Sequence, residues 1–263
     1  NVLRCDVGNY RELESAIKQV DPEFVYHLAA EFGRVNGDLF YEKVWQTNAV
    51  GTHNVLELQV KHKFKLAMAS SSEMYGDSKE NWLSEDTVAS LWLNDYACSK
   101  MVNEVQCKNF RRKYGNQIVI MRFFNTYGPG EYYTPYRSVC SLFCYRALKG
   151  IPFSAHSNSH RVFLYIDDFT PTLANACDKF VDGEVINIGG TEYRSVEELA
   201  EIVLAETQAS RSLLTILEED KWNTLNKRPN IFKAMQLLGH NPKIMLEEGI
   251  RKTVEWMKKV YEL

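Results

Sequence analysis

The order in which apolar runs and helical patterns alternate limits this chain to a small set of folds. Apolar runs typical of buried strands and amphipathic helical patterns follow one another at residues 9–20 (helix), 24–30 (strand), 41–59 (helix), 64–69 (strand), 96–115 (helix) and 118–123 (strand). Such alternation predicts a parallel sheet with helices on both faces. We therefore expect an α/β fold with a doubly wound sheet, and interpret Val2-Leu3 as the end of an earlier strand.

The character of the sequence changes near Asn125, where a turn-rich segment is followed by a stretch crowded with tyrosines. Further helices are predicted over 137–148, after Ser195 in a capping box with Glu198, and from Glu247 onward. We expect residues 1–124 to carry most of the sheet. Residues 125–263 are expected to form a smaller C-terminal region that mainly binds a ligand, with some segments returning to the sheet.

Composition excludes several classes of function. The net charge is −3 and no run of Lys or Arg stands out, so we expect no nucleic-acid partner. No apolar stretch approaches the roughly 18 residues that a membrane span needs, and we expect no membrane association. The six cysteines show no zinc-ligand spacing, which predicts no metal site and reduced core thiols in a cytoplasmic protein.

A tyrosine followed four residues later by a lysine can place a phenol and an ammonium on one helix face. The spacing is not specific, because it occurs three times, at Tyr75/Lys79, Tyr96/Lys100 and Tyr145/Lys149. Only Tyr96 opens a helix that follows a strand ending in hydroxyl groups. We therefore predict that Tyr96 and Lys100 are the functional pair.

These residues suit the removal of a proton and a hydride from a carbinol. A phenol has an ordinary pKa near 10, and a neighbouring lysine cation is expected to lower it toward neutrality. Ser71 can donate a hydrogen bond to the reacting oxygen, and Glu73 can take a proton alpha to a transient ketone. Read alone, residues 70–72 would be interpreted as an ordinary polar turn, and Glu73 as a solvated glutamate.

Four other residues have two readings each. His27, at the end of the strand over 24–30, is a structural histidine or a catalytic one. Asp6 caps the next helix or contacts an adenine. Arg161 and Arg228 bind phosphate, since arginine matches oxyanions in a bidentate manner, or form surface salt bridges.

Taken together, the motifs resemble those of the extended short-chain dehydrogenase/reductase family, in particular its NAD-dependent nucleotide-sugar epimerases, dehydratases and decarboxylases. The resemblance extends over essentially the whole chain, and its markers are His27-Leu28-Ala29-Ala30, residues 48–54, Ser71-Ser72-Glu73-Met74-Tyr75-Gly76, Tyr96/Lys100, residues 125–129, Arg161 with residues 165–168, residues 187–190, and Arg228-Pro229. Each marker is weak alone, and their order and spacing make the resemblance specific.

The resemblance implies a Rossmann-like sheet, NAD as cofactor and a nucleotide-diphosphate sugar as substrate. Tyr96 is then the base on the sugar 4-hydroxyl, Lys100 lowers its pKa and holds the nicotinamide ribose, and Ser71 hydrogen-bonds the 4-oxygen. The remaining implied contacts are Asn125, Arg161 and Arg228 with the substrate, and Asp6, Val7, Leu28, Ala29 and Ala30 with the dinucleotide. A homodimer is expected from the resemblance only.

The reaction depends on residues 71–73. A carboxylate at Glu73 is typical of 4,6-dehydratases and UDP-glucuronate decarboxylases, and is not needed by simple 4-epimerases. The dTDP-glucose dehydratases have an aspartate where this chain has Ser72, so the pattern is closer to GDP-mannose 4,6-dehydratase or the decarboxylases. We favour a 4,6-dehydratase, with an epimerase or decarboxylase as alternatives. A non-catalytic nucleotide-sugar-binding relative and a reductase of non-sugar alcohols are the other classes considered.

The glycine-rich loop with which this family begins is not in the sequence, in which Gly8 stands alone near the start. The pattern begins inside what looks like the third strand of the fold. We expect two strand–helix units, on the order of 60 residues, to be missing from its front. Without them the strand over 24–30 has an exposed edge and NAD binding is expected to be weak.

Overall fold

The computed structural model describes residues 2–224 and 226–263. Its helices are α1 (Tyr10–Val20), α2 (Arg34–Leu39), α3 (Tyr41–Val44), α4 (Gly51–His62), α5 (Asp95–Tyr114), α6 (Val139–Leu148), α7 (Ile166–Asp178), α8 (Val196–Thr207), α9 (Phe232–Leu238) and α10 (Leu246–Tyr261). Its strands are β1 (Phe24–His27), β2 (Lys65–Ser71), β3 (Ile118–Phe123), β4 (Thr126–Tyr127), β5 (Phe153–His156), β6 (His160–Val162), β7 (Leu164–Tyr165), β8 (Val185–Ile188), β9 (Tyr193–Ser195), β10 (Leu214–Leu217) and β11 (Asn226–Lys227).

The chain divides into two compact units. The first contains the residues up to Asp77 together with 88–123 and 174–186, and the second contains 78–87, 124–173 and 187–263. The division predicted at residue 124, between a cofactor-binding and a substrate-binding region, stays a prediction.

The main sheet has the strand order β1-β2-β3-β8. β1 and β3 both run parallel to β2, with His27 opposite Met68 and Ser71 opposite Phe123. The predicted α/β fold with a parallel sheet is therefore confirmed. Because successive strands point the same way, the carboxyl end of β2 lies at the edge of the sheet where ligands bind in such folds.

Local signals explain where the helices of the first unit begin and end. The Asn9 side chain accepts from the backbone N–H groups that open α1, and Asn94 does the same for α5 through Ala97. Gly115 ends α5 in the left-handed conformation that glycine favours. Apolar side chains of α1, α4 and α5 then pack with β2 and β3 in one core that includes Leu13, Val55, Leu66, Phe110 and Ile120.

The second unit is built around α6, α8 and α10. Their buried residues form one cluster with side chains of β5 and β7. The predicted capping box is present, since Ser195 accepts from the N–H of Glu198 and the Glu198 carboxylate accepts from the N–H of Ser195. In a separate three-stranded sheet, β6 lies between β11 and β9.

Several predicted elements differ from the observed ones. Val2 and Leu3 are not in a strand, and β1 ends at His27 rather than residue 30, where its pairing with β2 ends. The helix predicted over 41–59 contains a π-helical segment, Trp45–Val50, between α3 and α4. The cysteines are free but not all in the core, since Cys5 and Cys177 are exposed. No helix among the described residues is long and apolar enough to cross a membrane.

Candidate active site

A short turn follows β2 and carries two of the predicted site residues. Ser71 precedes the 3-10 helix Ser72–Tyr75, and its Oγ accepts from the backbone N–H of Glu73 at 3.2 Å. Gly76 ends this helix with φ 44° and ψ −121°. We name residues 71–75 the Ser–Glu turn. Its backbone is closed by local hydrogen bonds, so Ser71 and Glu73 are held at the carboxyl end of β2.

Tyr96 lies in the first turn of α5, close to the Ser–Glu turn. The Ser71 side chain and the Glu73 carboxylate both lie close enough to its hydroxyl to act on the charge of the phenol. The helix start is held in place because Asn94 caps it and Asp95 accepts a hydrogen bond from the Trp45 indole N–H at 3.1 Å. The structure thus brings Tyr96 close to Ser71 and Glu73, which precede it in the sequence by 25 and 23 positions.

The Tyr96 phenol does not have the lowered pKa predicted from its lysine neighbour. Burial raises the pKa of Tyr96 to about 12, the Ser71 side chain opposes this shift, and Glu73 adds to it. Desolvation penalises the phenolate more than the surrounding groups stabilise it. In the chain by itself the phenol is therefore protonated at neutral pH, and the lowering of its pKa toward neutrality by Lys100 stays a prediction for the complete site.

Lys100 lies one turn further along α5 with only 4% of its surface exposed. Its Nζ donates to the Ala69 carbonyl at 2.9 Å and lies 5.8 Å from the centre of the Tyr96 ring. Burial lowers the pKa of Lys100 to about 8, although the nearby Cys107 and Glu104 favour its charged form. A lysine ammonium has three donors, and within the described residues Ala69 is the acceptor that this one reaches.

The remaining N–H donors of Lys100 bear on whether the site suits NAD. A buried ammonium with spare donors beside Tyr96 fits the hydroxyl groups of a ribose. Leu28 and Ala29, also predicted to line the dinucleotide, are exposed just beyond β1. The residues present fit the nicotinamide-ribose half of NAD.

Asp6 and Val7 have local roles. The Asp6 carboxylate accepts from the Gly8 N–H at 2.8 Å, whereas Asn9 caps α1. The helix-cap reading of Asp6 is therefore wrong, and its contact with an adenine stays a prediction. Val7 is held against α4, because its carbonyl accepts from the Asn54 side chain at 2.9 Å.

A buried polar network supports Tyr96 from behind and was not predicted. Asn48 donates to the Ser99 hydroxyl at 2.9 Å, and Ser99 donates to the Tyr96 carbonyl at 2.8 Å. The Asn103 amide donates to the Asn48 and Ser99 carbonyls and accepts from the Thr52 hydroxyl at 3.1 Å. Asn48 lies in the π-helical segment, a distortion that often marks functional sites. The sequence feature that could have predicted this network is the cluster of asparagine and threonine at residues 48–54.

His27 extends this network to β1. Its Nε2 lies 2.9 Å from the Thr52 hydroxyl oxygen, and its side chain is buried. Because Thr52 donates to Asn103, the geometry favours the tautomer in which His27 Nε2–H donates to Thr52. Burial lowers the pKa of His27 to about 3, and the Lys100 charge acts in the same direction. This favours the structural reading of His27.

Acidification is therefore expected to destabilise the protein through His27. The folded chain keeps the ring neutral down to about pH 3, whereas the unfolded chain takes up the proton near pH 6.5. The free energy of unfolding should fall by as much as about 5 kcal/mol as the pH drops through this window. Urea unfolding of the parent and of His27→Gln between pH 7 and pH 4 measures the difference in slope.

The exposed His53 provides the control for this measurement. His53→Gln should retain the parent's full pH dependence, while His27→Gln should lose a large part of it. Equal slopes for the parent and His27→Gln would contradict the assignment.

The other two tyrosine–lysine pairs have tyrosines with packing partners. Tyr75 is fully buried and its hydroxyl accepts from Arg122 at 3.0 Å. Tyr145 stacks on Tyr133 with ring centres 3.9 Å apart. Both tyrosine rings are thus held in the packing of their own units, which favours Tyr96 as the functional residue.

The predicted substrate residues lie in the second unit. The Arg228 guanidinium carbon is 3.9 Å from the centre of the Trp82 ring and 5.1 Å from that of Tyr193. Among the described residues it has neither an ion pair nor a side-chain hydrogen bond. Planar stacking leaves the N–H groups at the edge of this guanidinium available to an oxyanion.

Arg161 lies on β6 and is 5% exposed. Burial raises the pKa of Tyr193, and the charges of Arg161 and Arg228 oppose that rise. The structure therefore brings these two arginines together around Tyr193. Asn125, with φ 36°, donates to the Val162 carbonyl at 3.1 Å. Its contact with a substrate diphosphate stays a prediction.

Three comparisons with known proteins bear on these observations. The model of the NAD dependent epimerase/dehydratase family matches residues 1–189. The UDP-N-acetyl-alpha-D-glucosaminuronate decarboxylase of Bacillus cytotoxicus is 29% identical over 98% of this chain and 83% of its own length. The structure of UDP-glucose 4-epimerase with UDP-glucose from Thermotoga maritima superposes with a TM-score of 0.90 at 25% identity, covering 98% of this chain and 84% of that one.

A dehydratase has the same fold. The dTDP-glucose 4,6-dehydratase of Bacillus anthracis, in complex with NAD, superposes with a TM-score of 0.85 at 25% identity over 98% of this chain and 80% of that one. The resemblance read from the sequence motifs is thus confirmed. The chain belongs to the NAD-dependent epimerase/dehydratase family of extended short-chain dehydrogenases/reductases, whose cofactor is NAD.

Proposed function

We propose that this protein oxidises the C4 hydroxyl of a nucleotide sugar as the first step of its reaction. The observation that carries the proposal is that Tyr96 lies near the Ser–Glu turn, where Ser71 favours and Glu73 opposes the charged form of the phenol. A phenol, a hydroxyl, a carboxylate and a buried ammonium assembled at the carboxyl end of a parallel strand form a site for proton and hydride removal.

Each residue has a distinct role in this proposal. Tyr96 takes the proton of the C4 hydroxyl, and Ser71 donates a hydrogen bond to the same oxygen as the carbonyl forms. Lys100, with its pKa lowered to about 8 by burial, supplies donors for a ribose and a positive charge near the phenol. NAD, when bound, supplies the hydride acceptor. Since the phenol pKa is about 12 in the chain alone, its proton transfer needs the additional positive charge of the complete site.

The arginines of the second unit support a nucleotide-diphosphate sugar as substrate. Arg228 is stacked between two aromatic rings with its hydrogen-bond donors unspent, and Arg161 lies near the same tyrosine. Guanidinium groups bind phosphate and carboxylate oxygens through paired hydrogen bonds. Both kinds of oxyanion occur in a nucleotide uronic acid.

For the second step we favour decarboxylation of a nucleotide uronic acid over the 4,6-dehydration favoured from the sequence, since residues 71–73 are typical of both reactions. The decarboxylase from Bacillus cytotoxicus supports this choice through its 29% identity over nearly the whole chain. Ser72, in place of the aspartate of dTDP-glucose dehydratases, also argues against that dehydratase subtype. A dehydratase of the Ser–Glu type is the second candidate, and an epimerase the third.

Product mass separates these reactions. The protein with NAD is offered UDP-, GDP-, dTDP- and CDP-linked sugars and uronic acids. We expect a product lighter by about 44 Da, the mass of carbon dioxide, from one nucleotide uronic acid. A loss of about 18 Da would indicate a dehydratase instead, and an isomer of unchanged mass an epimerase.

Two outcomes would overturn C4 oxidation when ligand binding is measured beside turnover and simple alcohols are offered as well. Binding of a nucleotide sugar without any product would indicate a non-catalytic relative, and turnover of a simple alcohol alone would indicate a reductase of another class. The homodimer and the cytoplasmic location expected from the sequence stay predictions, which sedimentation and cell fractionation would test.

A further inference from the structure

A buried ion pair lies beneath the Ser–Glu turn and has no role in the proposed chemistry. Glu104 of α5 and Arg122 of β3 are 1% and 5% exposed. Arg122 Nε donates to Glu104 Oε1 at 2.8 Å, and Arg122 Nη2 donates to Glu104 Oε2 at 2.9 Å. The pairing is bidentate, which fixes the relative orientation of the two groups as well as their distance.

The same pair holds both ends of the Ser–Glu turn. At the near end, the Ser70 hydroxyl donates to Glu104 Oε1 at 2.6 Å. At the far end, Arg122 Nη1 donates to the Tyr75 hydroxyl oxygen at 3.0 Å. Ser70 and Arg122 are also direct neighbours in the parallel pairing of β2 with β3. The turn that presents Ser71 and Glu73 is therefore fastened immediately before its first residue and at its last.

Charge and burial make this attachment stiff. Although burial opposes ionisation of Glu104, its bonds with Arg122 and Ser70 keep the pKa of the carboxyl below its usual value. Glu104 is thus ionised at neutral pH. A buried ion pair with its hydrogen bonds satisfied is costly to rearrange, because any partner that moves away leaves a buried charge unpaired.

Glu104 also connects the turn to the helix of the tyrosine–lysine pair. It lies one turn after Lys100 on α5, and its charge favours the protonated form of that lysine. One carboxylate therefore acts on Ser70, Arg122 and Lys100. The relative placement of the turn and α5 depends on it.

We propose that Glu104 and Arg122 are positioning residues that hold the Ser–Glu turn at both ends, so that Ser71 and Glu73 face Tyr96. The inference deepens the proposed function and rests on it. The competing explanation is that the pair only stabilises the fold, in which case loosening the turn lowers stability and leaves the kinetics of the folded protein unchanged.

The test removes the two attachments and keeps the ion pair, because a variant lacking one buried charge would be strongly destabilised. Ser70→Ala releases the near end and Tyr75→Phe the far end. We expect kcat to fall roughly 10-fold in each and roughly 100-fold in the double variant, since small misplacements of reacting groups are costly. KM should stay within about twofold, because neither residue is proposed to bind substrate.

Tyr26→Phe is the matched control. It also removes a tyrosine hydroxyl that makes a hydrogen bond, here one donated to the Ala174 carbonyl at 3.2 Å, and it lies in the same unit. Its kcat should equal that of the parent, whatever its melting temperature.

A second readout needs no turnover. In protein labelled with [13Cζ]tyrosine, the Tyr96 signal is assigned by its loss in Tyr96→Phe. This signal should shift in Ser70→Ala and Tyr75→Phe, because Ser71 and Glu73 surround the phenol, and should stay in place in Tyr26→Phe.

Unchanged kcat and an unchanged Tyr96 signal in the double variant would overturn the positioning role, even if its stability falls. A parent protein that turns over no nucleotide sugar would overturn the proposed function instead. In that case the Tyr96 signal still decides whether the ion pair positions the turn.

Discussion

Replacement of Tyr96 by phenylalanine is expected to lower kcat by about 10³-fold, the range lost when a positioned acid–base group is removed. The ring keeps its volume and its place in the first turn of α5, so only the hydroxyl near Ser71 disappears. The melting temperature should change by no more than about 2 °C. Single-turnover formation of NADH from the bound nucleotide sugar, followed at 340 nm, measures the loss at the oxidation step.

Tyr145→Phe is the control for this prediction, because Tyr145 has the same spacing to a lysine but stacks on Tyr133 in the second unit. It should leave the rate of NADH formation at the level of the parent. Full activity of Tyr96→Phe would exclude Tyr96 as the base and leave the Ser–Glu turn without its proposed partner.

Substitution of Gly76 by alanine is expected to be the most damaging single change near the site. With φ 44° and ψ −121°, Gly76 has a backbone conformation that residues with a side chain rarely adopt. An added Cβ would lie 2.1 Å from the Leu91 carbonyl oxygen. That oxygen cannot easily retreat, because it accepts from the Asp77 N–H at 3.1 Å while the Asp77 carboxylate holds the Leu91 N–H at 2.9 Å.

The free energy of unfolding should fall by at least about 3 kcal/mol in Gly76→Ala, through both strain and steric overlap. Urea unfolding measures it. Since Gly76 directly follows the Ser–Glu turn, kcat should fall as well in the fraction that remains folded.

Gly115→Ala separates the two causes. Gly115 also has positive φ, at 70°, but nothing lies within 4 Å of a Cβ built there. Its cost should be about 1 kcal/mol, from backbone strain alone. If Gly76→Ala cost no more than Gly115→Ala, the packing of Leu91 against Gly76 would be contradicted.

The parts of the fold that could be predicted from sequence are those set by local signals. The end of α5 follows from Gly115, the start of α8 follows from Ser195 with Glu198, and β3 follows from an apolar run. These signals act within a few residues, so they can be recognised from the sequence without knowledge of the fold. The parallel sheet followed from the order of the elements rather than from any single one of them.

What could not be predicted depends on contacts between distant residues. The four parts of the site were chosen from short motifs, but the rise in the Tyr96 pKa comes from burial and from Glu73, whereas the sequence shows only the nearby Lys100. Similarly, nothing within either segment indicates that Glu104 and Arg122 form a pair. The early end of β1 reflects where its pairing with β2 stops.

The π-helical segment Trp45–Val50 also bears on how this chain tolerates changes of length. It accommodates one more residue per turn than the α-helices on either side, and Asn48 lies within it while Thr52 follows in α4. The wide turn absorbs this extra residue, so deleting one residue here would restore a regular helix and change the position of Asn48 relative to Thr52. Asn48 and Thr52 could then no longer both reach Asn103. Surface loops tolerate one-residue deletions, but a deletion within this helical segment would disrupt the polar network that supports Tyr96.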